Sequence, residues 1–174
     1  MKAIKRMLMM LLFTLVLSFT LVGCGKDMIE DSSDMAKAIA KFLEVDKVSL
    51  YSTKVLNNYN YVCFYYKGAT EQESGYSYAA FRKTTTGDYV LEFAQVPSKL
   101  IPMAQGIGAA YFDDHFILVS SNEKLDKIHL SGEIEEVVKV KNTPYIYAID
   151  IFQGSDIAKN VKCSFYDKNG NEIK

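Results

Sequence analysis

Residues 59–67, YNYVCFYYK, and residues 75–83, GYSYAAFRK, decide the fold of this chain. Both stretches are rich in aromatic and β-branched side chains, which favour β-strands. In the second stretch Tyr76 and Tyr78 alternate with Ser77, as expected of a half-buried strand. Because only a short, turn-rich segment separates the two stretches, they are predicted to pair as neighbouring antiparallel strands.

The same period of two continues on both sides of these stretches. It predicts four consecutive strands, at residues 47–53, 60–67, 75–83 and 88–95. The separators are rich in Asn, Gly, Ser and Thr and are too short for helical crossovers, so an antiparallel meander is expected.

An amphipathic helix is predicted before the meander, at residues 32–44. Met35 and Ile39 begin one apolar stripe, and Phe42 continues it on the same side. Asp31 stands where a helix cap is expected. The helix is short and rich in Ala, so packing onto the sheet explains its apolar stripe better than binding to a membrane surface.

The pattern breaks after the meander, at two prolines and two glycines. We interpret residues 98–108 as a connection between the halves 32–97 and 109–174, which are either separate or one compact unit. Alternation then predicts six strands, at residues 109–112, 115–120, 127–130, 133–141, 144–152 and 160–167. The expected class is therefore α+β and β-rich, with a helix on a meander sheet followed by an antiparallel, β-sandwich-like half.

The N-terminus has the layout of an export signal. Lys2, Lys5 and Arg6 precede residues 7–22, MLMMLLFTLVLSFTLV, which carry no charge. A secretory apolar region has about 7–15 residues and a membrane-spanning helix needs about 20, so this run lies between the two. Gly23 beside Cys24 favours cleavage over an uncleaved anchor, because signal peptidases act next to small residues.

The residues LVGC at 21–24 resemble a bacterial lipobox. The resemblance implies that Cys24 receives a diacylglyceryl thioether, that residues 1–23 are removed, and that residues 24–31 form a tether. Two acyl chains at about 0.8 kcal/mol per buried CH₂ would anchor the protein stably. The expected location is the outer face of the cytoplasmic membrane.

Charge excludes one class of partner. The chain has 20 Lys and Arg against 21 Asp and Glu. Removing residues 1–23 from the 174-residue chain leaves 151 residues with 17 basic and 21 acidic side chains. A net charge near −4 without basic clusters argues against a nucleic-acid surface.

The remaining cysteines, Cys63 and Cys163, both lie in apolar, strand-like runs. Outside the cytoplasm they could form a disulfide, and closing a loop of about 100 residues would stabilise the fold by nearly 5 kcal/mol. The alternative is two buried free thiols. Two separate cysteines and two separate histidines lack the spacing of metal ligands, so neither a metal nor another cofactor is expected.

Catalytic motifs are missing from the sequence. Neither His115 nor His129 has a nucleophile nearby in the chain, and no GxSxG, Walker, HExxH or CxxC motif is present. Near the C-terminus Asn169-Gly170 resembles part of a calcium loop, but its spacing is wrong for an EF-hand. This dipeptide predicts a hairpin turn instead.

Tyrosines give the one indication of a binding surface. Tyrosine contributes large amphipathic contact area and is enriched at interfaces. The alternative is that these rings fill the core of the sheet. The candidate surface comprises Tyr59, Tyr61, Tyr65, Tyr76 and Tyr78.

The overall plan resembles the small uncharacterised lipoproteins of Gram-positive bacteria. The resemblance rests on the lipobox, the helix, the Tyr-rich meander and the terminal SFYDKNGNEI at 164–173, and it implies lipidation at Cys24 but no activity. The sequence thus predicts a lipid-anchored, non-enzymatic module that binds an envelope protein, a peptide or a glycan. Two alternatives stay open: a small envelope enzyme that uses His115 or His129, and a sensor or inhibitory accessory protein of a membrane partner.

Overall fold

The computed structural model describes residues 32–132, 134–151 and 162–174. Within these residues the chain forms one α-helix, one short 3-10 helix and twelve strands. The strands form three four-stranded sheets in which every pairing is antiparallel. The predicted β-rich class with one short helix and antiparallel sheets is confirmed.

The helix and the first sheet come first in the chain. They are α1 (Ser32–Phe42), β1 (Ser49–Leu56), β2 (Tyr59–Tyr66), β3 (Gly75–Lys83) and β4 (Tyr89–Ala94). The first sheet is a meander in the order β1-β2-β3-β4, as predicted. Strands β2 and β3 pair along their whole length, from Tyr59 opposite Arg82 to Tyr66 opposite Gly75.

The other eight strands follow a 3-10 turn at Pro97–Lys99. They are β5 (Ile101–Ala104), β6 (Ile107–Phe112), β7 (His115–Ser120), β8 (Leu125–Ser131), β9 (Glu136–Lys139), β10 (Tyr145–Asp150), β11 (Lys162–Asp167) and β12 (Glu172–Ile173). The second sheet has the order β10-β7-β6-β5, and the third has the order β12-β11-β8-β9.

The first sheet has apolar side chains on both faces. Val62 and Phe64 of β2 share one core cluster with Ile39 of α1. The alternate residues Tyr61 and Cys63 belong to another cluster, which contains residues of the second sheet. Successive side chains of a strand point to opposite faces. Because both faces of β2 contribute to core clusters, nearly all of its residues are buried or half-buried in an unbroken run.

The second sheet also contributes to two core clusters. On one face of β7, Ile117 and Val119 join the cluster of the first sheet. On the other face Phe116 and Leu118 join a cluster with residues of the third sheet, among them Phe165. Every residue of β7 is therefore buried.

The end of α1 is fixed by backbone hydrogen bonds. The Val45 N–H donates to the Ala40 carbonyl at 2.9 Å, and the Glu44 N–H donates to the Lys41 carbonyl at 3.3 Å. This is the Schellman pattern, and Glu44 adopts the left-handed conformation that the motif requires, with φ 56°. The helix is thus two residues shorter than predicted.

The prediction that residues 98–108 only connect two halves is wrong. Residues Ile101–Ala104 form β5, and β6 begins at Ile107. Proline is tolerated here because β5 lies at the edge of the second sheet, where a missing N–H costs no ladder hydrogen bond.

The predicted C-terminal hairpin is present. Phe165 of β11 pairs with Ile173 of β12, and Gly170 has φ 82°, which glycine adopts at little cost. The strands predicted at 133–141, 144–152 and 160–167 match β9, β10 and β11 in part. β9 and β10 are shorter than predicted, and residues 133 and 152–161 lie outside the described residues.

The predicted signal, Cys24, the tether and the Asp31 cap also lie outside the described residues. Among the residues that are described, no helix is long and apolar enough to cross a bilayer.

Candidate functional site

A β-bulge in β1 changes the direction of two side chains. Leu50 pairs with Phe64 and Thr53 pairs with Val62, so Tyr51 and Ser52 both stand opposite the single residue between those partners. Bulges bend a strand and re-aim side chains, often beside functional sites. Here the bulge brings the Tyr51 ring beside a tyrosine of β3.

Three tyrosines meet at this point, and we call Tyr51, Tyr65 and Tyr76 the tyrosine cluster. The ring centroids of Tyr51 and Tyr76 are 5.2 Å apart with planes at 74°, and those of Tyr65 and Tyr76 are 5.2 Å apart at 70°. These edge-to-face contacts are the arrangement that aromatic pairs prefer. Tyr51 remains 51% exposed, while Tyr65 and Tyr76 are half-buried.

Each member of the tyrosine cluster lines a different groove. Tyr65 lines the helix-end groove, of about 590 Å³, which is formed by residues 44–47, Ser49 and residues 65–69. Tyr76 lines the proline groove, of about 270 Å³, together with Pro97, Leu100, Pro102, Ala104, Gly106, Ile107, Gly108, Val119 and Ser121. Tyr51 lines the turn groove, of about 340 Å³, together with Ser52 and residues 141–145.

The helix-end groove carries charges of both signs. Glu44 and Asp46 supply two carboxylates, and Lys47 and Lys67 supply two ammonium groups. Glu44 holds the left-handed backbone conformation, which costs a residue with a Cβ about 1–2 kcal/mol relative to the right-handed one. Glycine would fit there more cheaply, and strained positions of this kind concentrate at functional sites.

The structure separates the predicted tyrosine surface into two parts. Tyr65 and Tyr76 belong to the half-exposed tyrosine cluster. Tyr61 and Tyr78, which the sequence placed on the same surface, have no exposed area because both rings lie in the core between the first and second sheets. The fifth candidate, Tyr59, is half-buried at the opposite end of β2.

The residues missed by sequence reasoning are Tyr51, Ser52 and, apart from Tyr76, the residues that line the proline and turn grooves. Tyr51 lies in a strand whose plain alternation gives no sign of a bulge. The turn groove joins residues about 90 positions apart in the chain, so no local pattern could have revealed it.

A second polar group, the histidine cluster, lies near the turn between β1 and β2. It consists of Asn57, Tyr61, His115 and Asp150. The Tyr61 hydroxyl contacts Nδ1 of His115, and Nε2 of His115 lies 2.9 Å from Oδ1 of Asp150. Because a carboxylate only accepts hydrogen bonds, Nε2 carries a proton, and in the neutral imidazole Nδ1 then accepts from the Tyr61 hydroxyl. The Asn57 amide donates to the same Asp150 oxygen at 2.7 Å.

The histidine cluster joins the first sheet to the second. Tyr61 comes from the first sheet and Asn57 from the turn between its strands β1 and β2, whereas His115 and Asp150 come from the second sheet. Beside them the Tyr59 hydroxyl donates to Asp113 at 3.2 Å. Burial is the main cause that raises the pKa of Tyr61 well above its ordinary value, so its hydroxyl stays neutral.

The histidine cluster has the same order of groups as a catalytic triad, but these groups are much less accessible to a substrate. A nucleophile needs a substrate atom within reach, and His115 is 3% exposed while the Tyr61 hydroxyl it contacts is fully buried. The other histidine, His129, lies on the third sheet with Nε2 3.5 Å from Glu135 and is partly exposed. The two histidines therefore lie in different sheets.

Both remaining cysteines are free thiols. Cys63 lies in the core between the first and second sheets, and Cys163 packs against the core between the second and third sheets. The disulfide considered from the sequence is therefore not formed. Burial raises the pKa of Cys63 to about 12 and that of Cys163 to about 11.

The described residues contain no group of three or more His, Cys, Asp and Glu side chains that could hold a metal ion. No protein-family model, curated protein or solved structure matches this chain.

Proposed function

We propose that this protein is a lipid-anchored, extracytoplasmic binding module without catalytic activity, and that its ligand binds at the tyrosine cluster. One observation carries the proposal: the partly exposed rings of Tyr51 and Tyr65 both contact the Tyr76 ring, and each of the three lines a different groove. Neither Tyr51 nor Tyr65 belongs to a core cluster of the described residues. Their rings therefore do little for the core but offer contact area to a ligand.

The proposed anchor is Cys24, followed by the tether at residues 24–31. Eight extended residues span at most about 28 Å. The helix α1 then has 11 residues, and at 1.5 Å per residue it is about 16 Å long. Since the helix-end groove begins at Glu44, just past the end of α1, the ligand would be bound within a few tens of ångströms of the membrane.

The finer architecture belongs to the same proposal. We infer that α1 packs on one face of the first sheet and that the second and third sheets form a sandwich-like half. The cluster of Met35 and Ile39 with Phe81 supports the first inference. The cluster of Phe116 and Leu118 with Ile128 supports the second.

Protection of the tyrosines in the cell tests the binding function without knowledge of the ligand. Hydroxyl-radical footprinting with mass spectrometry would compare Tyr51 and Tyr65 on intact cells and in the purified full-length protein. We expect slower oxidation of both on cells. Tyr111, which is 42% exposed on β6, is the matched control and should oxidise equally in both samples. Equal oxidation of Tyr51 in the two samples would contradict the proposal.

The intact mass of the membrane-extracted protein tests the anchor. We expect loss of residues 1–23 and the added mass of a diacylglycerol, with both changes abolished in Cys24→Ala. A mass that retains Met1 would instead mean that residues 7–22 form an uncleaved membrane anchor.

A further inference from the structure

We propose that the tyrosine cluster binds an uncharged, linear oligosaccharide that extends from the cluster into its grooves. This inference rests on the proposed binding function and names the class of ligand. Three properties of the site carry it: the arrangement of the grooves, the exposed rings, and the balance of charge.

The grooves favour a chain rather than a compact ligand. Two of their volumes, about 340 and 590 Å³, lie in the lower half of the range for small-molecule sites, about 300–1,000 Å³, and the third, about 270 Å³, lies just below it. Each groove touches only one member of the tyrosine cluster. A ligand that contacts all three rings must therefore pass from one groove to another, as a chain of linked units does.

The rings favour a sugar. Perpendicular packing leaves ring faces and ring edges side by side, and Tyr51 has half of its surface exposed. A pyranose ring presents C–H groups on its faces and hydroxyls on its rim. The C–H groups pack against aromatic faces, while a phenol hydroxyl both donates and accepts hydrogen bonds, as sugar hydroxyls do. Burial, and after it the neighbouring Tyr51, raises the pKa of Tyr76, so its hydroxyl remains protonated.

The charges argue against an ionic ligand. The helix-end groove contains two carboxylates and two ammonium groups, so their charges cancel. The lining of the proline groove includes no charged residue, and the lining of the turn groove includes one, Lys141. A site that selects phosphate polymers or acidic peptides would be expected to show an excess of positive charge.

The position in the sheet argues against recognition of a peptide backbone. Peptides that add a strand need a free strand edge. Two of the three rings, Tyr65 and Tyr76, lie on β2 and β3, which are paired on both sides, whereas Tyr51 lies on β1, the edge strand of the first sheet. At Tyr65 and Tyr76 the cluster therefore offers side chains but no free row of main-chain groups.

Titration calorimetry with defined sugars tests the inference. The processed protein is kept in a polyoxyethylene detergent, because such a detergent contains no sugar. It is then titrated with the linear tetramers of glucose and of N-acetylglucosamine. We expect one of them to bind. Tyr51→Ala should weaken that binding by about tenfold or more, which corresponds to about 1.4 kcal/mol. Tyr51→Phe should lie within about threefold of wild type, because the ring is retained, and Tyr111→Ala should change nothing.

Failure of both tetramers to bind overturns the inference, as does binding that Tyr51→Ala leaves intact. Tetraglutamate and tetraalanine serve as the peptide arms, and binding of either at the cluster in place of sugar also overturns it. The footprint separates this failure from failure of the proposed function. If Tyr51 is protected on cells while neither tetramer binds, the binding function stands and only the sugar class is wrong.

Discussion

Tyr61→Phe should destabilise the protein although it removes only one oxygen atom. The Tyr61 hydroxyl and the His115 ring are both buried, and Nδ1 of His115 accepts a hydrogen bond from that hydroxyl. Phenylalanine keeps the ring in place, so the packing in the core is preserved. The imidazole nitrogen, however, is left without a partner and away from water.

The expected magnitude follows from that unpaired nitrogen. A buried polar group without its partner costs about 1–3 kcal/mol, so we expect Tyr61→Phe to lower the free energy of unfolding by about 2 kcal/mol. For a chain of this size each kcal/mol lowers Tm by about 2–4 °C, which gives a decrease of about 4–8 °C. Differential scanning calorimetry and urea unfolding would measure both quantities.

Two further variants make the test specific. Tyr65→Phe removes a hydroxyl from a half-buried ring outside the core clusters and should change stability by less than about 0.5 kcal/mol. Combining Tyr61→Phe with His115→Leu removes both partners, so the double variant should lose less than the two single losses added together. The reasoning is refuted if Tyr61→Phe is as stable as wild type, or if the two losses simply add.

Three other predictions concern the rest of the fold. Glu44→Gly should raise the free energy of unfolding by about 0.5–1 kcal/mol in urea melts, since glycine relieves the left-handed strain, whereas Glu44→Ala should not. Gly108→Ala should cost about 1–3 kcal/mol because its Cβ would lie 2.9 Å from the Leu100 Cβ and 3.0 Å from the Leu100 Cδ1, and combining it with Leu100→Ala, which removes the Cδ1 contact, should cost less than the two single losses added together. Burial raises the pKa of Cys63 from its ordinary 9.0 to about 12, so the stability that its protonated thiol contributes is complete below pH 9 and is lost as the pH rises towards 12. Thermal melts between pH 7 and 11 should therefore show a smaller alkaline decrease for Cys63→Ala than for wild type, and equal decreases would contradict this cause.

The meander could be predicted from the sequence because the patterns that specify it lie within single strands and the short turns between them. Alternation shows which residues of β2 share a face, and short turns show which strands are neighbours. The same logic failed at residues 98–108, where proline and glycine suggested a connection. Proline is excluded only from the interior strands of a sheet, and β5 is an edge strand. No local sequence pattern shows whether a strand will lie at an edge.

The division of the other strands into two sheets also depends on distant contacts. In sequence, β8, β9 and β11 look like further strands of the same half. In the structure, Ile128 and Phe165 share a core cluster with Phe116 and Leu118 of β7, whereas Ile117 and Val119 of β7 belong to the cluster that contains Tyr61. Alternation predicts that one face of a strand is buried but does not identify the residues it packs against, so these partners had to come from the structure.

The same limit explains why the tyrosine surface was predicted only in part. One face of β2 and β3 carries Tyr61, Tyr65, Tyr76 and Tyr78 at alternate positions. The sequence alone therefore does not distinguish the buried rings from the exposed ones. The second sheet covers that face over Tyr61 and Tyr78, where the rings become core, and leaves the end at Tyr65 and Tyr76 half open. The bulge then adds Tyr51 to the open end, where Tyr65 lies four residues, or about 13 Å, along β2 from Tyr61. One residue type thus fills the core at one end of a face and offers a binding surface at the other, and the extent of the covering sheet decides which role each ring takes.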